Sequence, residues 1–500
     1  MKQKLPISVY NWTSITGVTL ALIALFMILF LFIISAFLNQ GSSYLGLIIY
    51  ILLPGFLIVG LILIPLGMFF SARKQKRNHT KGVNKWPLID LNDIRHRNGF
   101  FIFIIGTAVF LLISAIGSYE AFHYTESVEF CGKICHKIMT PEYTAYQHSP
   151  HARVACVDCH VGTGASWYVK SKLSGLYQVY AATIGSYPKP IPTPVRNLRP
   201  ARETCEQCHW PQKFYSRQLR LERHYLADSS NTEWDINMVV RIGANLSALG
   251  LQEGIHWHIN PNTRIEYIAS DISRTKIPWV RYTNIKTGKV SIFKSTEEKT
   301  EKLKISDSRI MDCMDCHNRP SHNYLPPVIF INDAITSGMI PKSLPEIKSK
   351  ALEALGKTFS TSDSTMEYIK TTLTNYYKAS YSNLYTTNRE LVDWAIKGVQ
   401  RAVSANIFPE MKVRWDAYPN QIGHLTFNGC FRCHDDKHVS DDGKVISKDC
   451  NLCHIINAQG TTKDMQVAKV NEAVEFKHPS DIGDAWKESL CTECHTGLNP

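Results

Sequence analysis

All fourteen cysteines of this 500-residue chain fall into seven pairs, and each pair is followed at once by a histidine. The first reads CGKICH, Cys131 and Cys135 with His136. The others read C-x-x-C-H: Cys156, Cys159 and His160; Cys205, Cys208 and His209; Cys313, Cys316 and His317; Cys430, Cys433 and His434; Cys450, Cys453 and His454; Cys491, Cys494 and His495. This is the attachment pattern of c-type haem, in which two thiols bond the porphyrin edge and the adjacent His turns toward the iron. Zinc sites pair C-x-x-C units without needing a His after each one, and disulfides need no fixed short spacing. The spacing therefore predicts seven haem c groups, with seven large apolar macrocycles replacing much of a conventional side-chain core.

A second feature is the absence of any Lys, Arg, Asp or Glu from residue 5 to residue 72. Apolar runs at about 13–38, 45–70 and 99–119 are each long enough, at about 1.5 Å per helical residue, to cross a hydrocarbon core of about 30 Å. They predict three transmembrane helices. A cleaved signal peptide is excluded for the first, whose apolar region is too long and lacks a small-residue cleavage site before the second. Lys2 and Lys4 precede the first span, and eight Lys and Arg residues lie in the loop 71–98. Because Lys and Arg concentrate on the cytoplasmic side, the amino terminus and this loop are expected in the cytoplasm. Everything beyond about residue 118 is then expected in the periplasm, where haem c is attached.

Seven proximal histidines leave twelve of the nineteen. His79 and His96 fall in the cytoplasmic loop, so ten remain as sixth ligands for seven irons: His123, His148, His151, His224, His256, His258, His322, His424, His438 and His478. Ligation by two histidines saturates an iron and favours electron transfer, whereas an open position permits catalysis. Beside the last three motifs stand only His424, His438 and His478, which argues for six-coordinate irons there. His256 and His258 flank Trp257 in a strand-like segment that puts both on one face; a lone H-x-H is a weak metal signal, and the pair is read as structural.

The stretch Cys131 to His160, CGKICHKIMTPEYTAYQHSPHARVACVDCH, resembles the NapC/NirT family of membrane-anchored multihaem cytochromes. The likeness continues through Lys172, CEQCHWPQKFYSRQLRLERH (Cys205 to His224) and DCMDCHNRPSH (Asp312 to His322). The resemblance implies oxidation of menaquinol or ubiquinol at the membrane surface beside the first haem. It makes Lys172 the residue that binds the quinol head group, and His151, His224 and His322 sixth ligands. The family's Met stands two residues after the first motif's His, while Met139 stands three after His136, so Met139, His136 and His123 are all candidates for the first iron. The family's carboxylate beyond the Lys has no counterpart, since no Asp or Glu occurs from Val161 to Arg202; Glu142 and Glu203 are the alternatives for taking up the quinol's protons. Three spans and three extra haem motifs exceed the family's single helix and four haems. That larger build is similar to the seven-haem inner-membrane cytochromes of the ImcH type, implicated in extracellular electron transfer.

The expected fold is that of a multihaem cytochrome c, mainly α, with short helices and loops around seven covalent haems, three transmembrane helices and one small β-rich insertion. Its expected divisions are an anchor (1–118), a four-haem domain (119–325) with the insertion at about 227–306, and a helical subdomain plus three-haem domain (326–500). Runs such as INMVVRI, RIEYIAS and KVSIFK, set off by turn signals, mark the insertion. The periodicity of NRELVDWAIKGVQRAVSA marks the helices. The net charge of +12 says little about partners: ten of the 55 Lys and Arg and two of the 43 Asp and Glu lie in the first 118 residues, leaving 45 against 41 beyond them. Haem propionates, about fourteen if all are ionised, would make that part acidic, so no nucleic-acid partner is expected. The expected function is a quinol-oxidising hub in the inner membrane that passes electrons to periplasmic c-type cytochromes. The alternative is a terminal reductase of nitrite, hydroxylamine or a sulfur oxyanion at an open haem.

Overall fold

An apolar run in a bilayer must satisfy its backbone internally, and helix is the local solution. The computed structural model describes residues 11–38, 52–77, 90–134, 136–162, 164–194, 199–211, 214–243, 254–298, 300, 303–470 and 472–499. Its first three helices are Trp12–Leu38, Leu53–Arg77 and Ile94–Glu126, each holding a stretch apolar and long enough to span a membrane. The start of the second expected span, residues 45–51, and the loop residues 78–89 lie outside the described residues. The third helix overruns its apolar window at both ends, because polarity bounds the span and not the helix.

The first two membrane helices pack through small residues. A Cβ on Gly60 would lie 2.7 Å from the Ala21 amide nitrogen and 2.8 Å from the Gly17 carbonyl oxygen. Ser14 Oγ donates to the Ile64 carbonyl across the pair at 2.9 Å. Small side chains let helix backbones approach in lipid, where dispersion and interhelical hydrogen bonds replace the hydrophobic effect.

The chain divides into two units, Met1–Met139 with Ala155–Val157, and Thr140–Val154 with Asp158–Pro500. In the second, helices Pro327–Thr336, Ile347–Leu355, Ser362–Ser380, Ser382–Thr387 and Arg389–Ser404 close on a side-chain core. Ile331, Ile340, Leu344, Ile347, Ile369, Leu373, Tyr377, Val392 and Val399 are fully buried in it. The last helix shows why it forms: Val392, Ala395, Ile396, Val399, Ala402 and Val403 recur at the three- and four-residue spacing of one helical face.

Strands occur where the β-like runs predicted them, but they are not a self-contained insertion. Among the described residues they make two antiparallel sheets that recruit strands from near the carboxyl end. One sheet orders β1 (Gln218–Tyr225), β2 (Glu233–Val240), β8 (His454–Gly460) and β9 (Met465–Val467) as β1-β2-β8-β9. The other orders β6 (Arg309–Ile310), β3 (Thr263–Ile268), β4 (Trp279–Asn284), β5 (Val290–Ser295) and β7 (His438–Ser440) as β6-β3-β4-β5-β7. Val240 lies opposite His454, so the sixth motif's histidine opens a strand of the first sheet. In the second sheet Ile265, Tyr267, Ile277 and Val280 form a small core.

Candidate haem-ligand site

Four of the motifs sit on single tight turns. Cys313–Cys316 and Cys491–Cys494 are single helical turns, and Gly429–Arg432 and Cys450–Leu452 are 3-10 turns. The amide of the motif histidine donates to the carbonyl of the first cysteine in His209, His317 and His495 at 2.8 Å and in His434 at 3.1 Å. One helical turn brings positions i and i+3 to the same side, which presents both thiols together with the histidine just beyond them. From Cys205 onward none of the cysteines is in a disulfide. Cys135 and the side chain of His136 lie outside the described residues.

Six proximal histidines face a second histidine. Ring centres are 6.2 Å apart for His160 and His322, 6.0 Å for His209 and His151, and 6.3 Å for His317 and His256. They are 5.9 Å apart for His434 and His258, 6.1 Å for His454 and His424, and 6.0 Å for His495 and His478. A metal–imidazole bond of about 2 Å, with the ring centre about 1 Å further on, sets two rings across one iron about 6 Å apart. The residues present therefore fit the haem that the motifs imply.

The hydrogen bonds of the partner rings point the same way. Nδ1 of His151 donates to the Pro320 carbonyl at 3.2 Å and that of His322 to the Glu142 carbonyl at 3.0 Å. Nδ1 of His256 donates to Ile242 at 3.1 Å and that of His258 to Ile255 at 2.8 Å. A carbonyl only accepts, so these bonds fix the tautomer and leave the Nε2 lone pair for a metal, as second-shell carbonyls do. Burial lowers the pKa of His160, His256, His258, His317, His454 and His495, and takes His322 and His424 down to about 4. A neutral ring is the ligating form.

Other sequence candidates are placed differently. His438 is buried with both nitrogens engaged, Nδ1 by Asp435 Oδ1 at 2.8 Å and Nε2 by the Ile277 carbonyl at 2.6 Å. Burial opposes its charge, but Asp435 and that carbonyl outweigh it and raise its pKa. His224, on β1, sets Nδ1 3.4 Å from the Asn332 amide nitrogen. His148 is exposed and donates to the Thr144 carbonyl at 2.8 Å. His123 ends the third membrane helix with its ring 4.3 Å from that of Tyr119, and Met139 is half-buried in the helix His136–Gln147. Glu142 has its pKa raised by burial beside Arg319 and Tyr324, whereas Glu203 accepts from Arg199 Nη2 at 3.0 Å. Lys172 is half-buried on the helix Ala165–Ile184.

His256 and His258 are where the strand reading fails. Ile255–Ile259 is a 3-10 turn, in which residues two apart diverge instead of sharing a face.

The fourth and fifth motifs are also joined directly. Asp315, between the cysteines of the fourth, is 2% exposed. Its carboxylate accepts from Tyr267 Oη at 2.6 Å, from Arg274 Nη1 and Arg309 Nε at 2.8 Å each, and from the Asp312 amide at 2.7 Å. Arg432, between the cysteines of the fifth, donates to the Asp315 carbonyl at 2.7 Å and the Arg274 carbonyl at 2.8 Å.

Residues 94–190 match the NapC/NirT cytochrome c family, N-terminal region. The chain is 42% identical over 488 residues to the cytochrome c-type protein ImcH of Geobacter sulfurreducens, covering 97% of this chain and 95% of that one. It is 30% identical over 109 residues to the cytochrome c-type protein NrfH of Wolinella succinogenes, covering 21% of this chain and 61% of that one. No solved structure matches it. With paired histidines, three apolar helices and a likeness to ImcH along nearly its whole length, the chain belongs to the membrane-anchored multihaem cytochromes c of the NapC/NirT and ImcH kind.

Proposed function

We propose that this protein oxidises menaquinol or ubiquinol at the membrane and passes the electrons through seven haem c groups to periplasmic c-type cytochromes. Its amino terminus lies in the cytoplasm and its haem-bearing part in the periplasm. The observation that carries this reading is the pairing of His160 with His322, His209 with His151, His454 with His424 and His495 with His478, at 6.0–6.2 Å between ring centres. Two histidines per iron leave no place for a substrate, which favours electron carriage over the terminal-reductase alternative. When bound, each haem supplies a one-electron carrier; the chain's own residues fix its ligands and its surroundings.

The helix Ala165–Ile184 supports the quinol end of the path. Val169, Leu173, Leu176, Tyr177, Tyr180 and Ile184 are exposed on it, at the three- and four-residue spacing of a stripe suited to lying in a membrane interface. On that helix Lys172 is half-buried, while Lys170 lies over the Trp167 ring at 4.8 Å. A lysine at an interface can reach along its stem to donate to a quinone oxygen. A quinol that gives up two electrons also releases two protons, and Glu142, whose pKa is raised by burial, is the carboxylate this reading assigns to accept them.

The test uses the purified holoprotein in liposomes loaded with menaquinol. Quinol should reduce the haems, and Lys172→Ala should slow that reduction at least tenfold while dithionite still reduces every haem. Unchanged turnover in Lys172→Ala would reject its role. Reduction of the unsubstituted protein by a soluble donor but not by quinol would favour the terminal reductase.

A further inference from the structure

Among the six motifs whose histidine ring is described, two irons remain without a sixth ligand assigned above, those of the fourth and fifth motifs. The turn Ile255–Ile259 stands beside both. Its amides tie it to the end of the first sheet, Ile255 donating to the Arg241 carbonyl at 2.9 Å and His256 to Ile242 at 3.1 Å. Gly254 leads into it at φ +97°, where a Cβ would meet the Arg241 carbonyl oxygen at 2.5 Å. Trp257 at its centre packs on Tyr282 of β4, 5.2 Å between rings. The turn is thus held from both sheets, and its two histidines leave in different directions. His256 reaches a ring-centre distance of 6.3 Å from His317, nearly parallel at 9°. His258 reaches 5.9 Å from His434, nearly perpendicular at 82°.

Given the two-histidine reading above, on which this inference rests, we propose that His256 and His258 are the sixth ligands of the fourth and fifth haem irons. One five-residue turn then staples together two redox centres that the sequence sets more than a hundred residues apart. Both have Nδ1 committed to a backbone carbonyl, so each offers Nε2. The rival use, a separate metal bound between the two histidines, lacks a third ligand: among the described residues no three His, Cys, Asp or Glu side chains gather for one. The Arg432 bonds to the carbonyls of Asp315 and Arg274 hold the same two motifs from the opposite chain direction. The strand-rich segment between the third and fourth motifs is thereby the splice joining the NapC/NirT-like haems to the three that follow.

The experiment compares full-length holoprotein with His256→Ala, His258→Ala and, as a control, His438→Ala, whose two ring nitrogens are both engaged by protein groups. Thioether bonds are untouched, so intact mass should count the same haems in all. Each of His256→Ala and His258→Ala should convert one low-spin iron per chain to high spin in low-temperature electron paramagnetic resonance. Each should let the reduced protein bind one additional carbon monoxide, and added imidazole should restore the low-spin signal. The control should match the unsubstituted protein. His256→Met and His258→Met guard against loss of folding: each should keep a low-spin iron but raise one reduction potential, as Met/His ligation does. Unchanged spectra and carbon monoxide uptake in both Ala variants, with the unsubstituted protein low-spin, would overturn this proposal alone. High-spin signals from several irons of the unsubstituted protein would overturn the two-histidine reading beneath it.

Discussion

Removing the Asp315 carboxylate should be among the most damaging single changes outside the ligands. The side chain is 1% exposed and pairs with two arginines, Arg274 and Arg309, each 2.8 Å away. Breaking one side of a buried ion pair costs about 3–5 kcal/mol, because the remaining charges lose their partner. Here the arginines keep access to water, with side chains 26% and 37% exposed, so they can rehydrate. The buried Tyr267 hydroxyl and the Asp312 amide lose an acceptor as well. Asp315→Ala should therefore cost about 3 kcal/mol, near the lower bound for a broken buried pair, or somewhat more than a hundredfold in the unfolding equilibrium. Arg274→Met should cost less, since Arg309 still covers the carboxylate. Urea unfolding of the detergent-solubilised holoprotein, followed by circular dichroism, measures both through the midpoint at constant slope. A loss below about 1 kcal/mol for Asp315→Ala, the range of exposed pairs, would refute the argument that burial makes this carboxylate structural.

His438 gives a pH signature. Its folded pKa is raised, so its contribution is fully present below the unfolded value of about 6.5 and is lost as pH rises through the folded value. The stability gap between the unsubstituted protein and His438→Ala should narrow from pH 6 to pH 8, and a gap that widens would contradict the pairing with Asp435. In the membrane, Gly60→Leu should cost about 1–3 kcal/mol by overpacking against Ala21 and Gly17, read as a lower detergent midpoint, whereas Gly55→Leu, with nothing within 4 Å of its Cβ, should change little. In the helical core, Leu373→Ala should cost about 2–5 kcal/mol without altering the haem spectrum. Trp394→Ala, at a site 54% exposed, should stay within about 0.5 kcal/mol.

The features legible in advance were those whose physics is local. A thiol pair and its histidine must share one turn, and an apolar span must be a helix, so motif turns and membrane helices follow from short windows. The amphipathic face of Arg389–Ser404 is local in the same way. The sheets were legible only in half: the runs that became β2, β3 and β5 carry β-branched residues, but β7 and β9 are three residues each, and the partner of β7, β5, lies far off in the chain. The paired histidines divide likewise. His424 and His478 stand near their motifs in sequence, while the alternation in Ile255–Ile259 imitates a strand and conceals a 3-10 turn imposed by bonds to Arg241 and Ile242. His438 misled for a different reason: nearness to a motif says nothing about whether both ring nitrogens are already spoken for.

The pairing of β2 with β8 also sets a timetable for biosynthesis. Asp235 on β2 lies opposite Gly460 on β8, so the inner edge of β2 has no neighbour until more than two hundred further residues have been made. At about 5–20 residues per second, that edge waits on the order of 10 to 45 s, held only by a β1–β2 hairpin, which is marginal alone. During that interval the first four attachment motifs have already emerged. The growing chain must therefore be kept from pairing its bare strand with a neighbour while its early porphyrins are loaded, and the last strands to arrive act as the clasp.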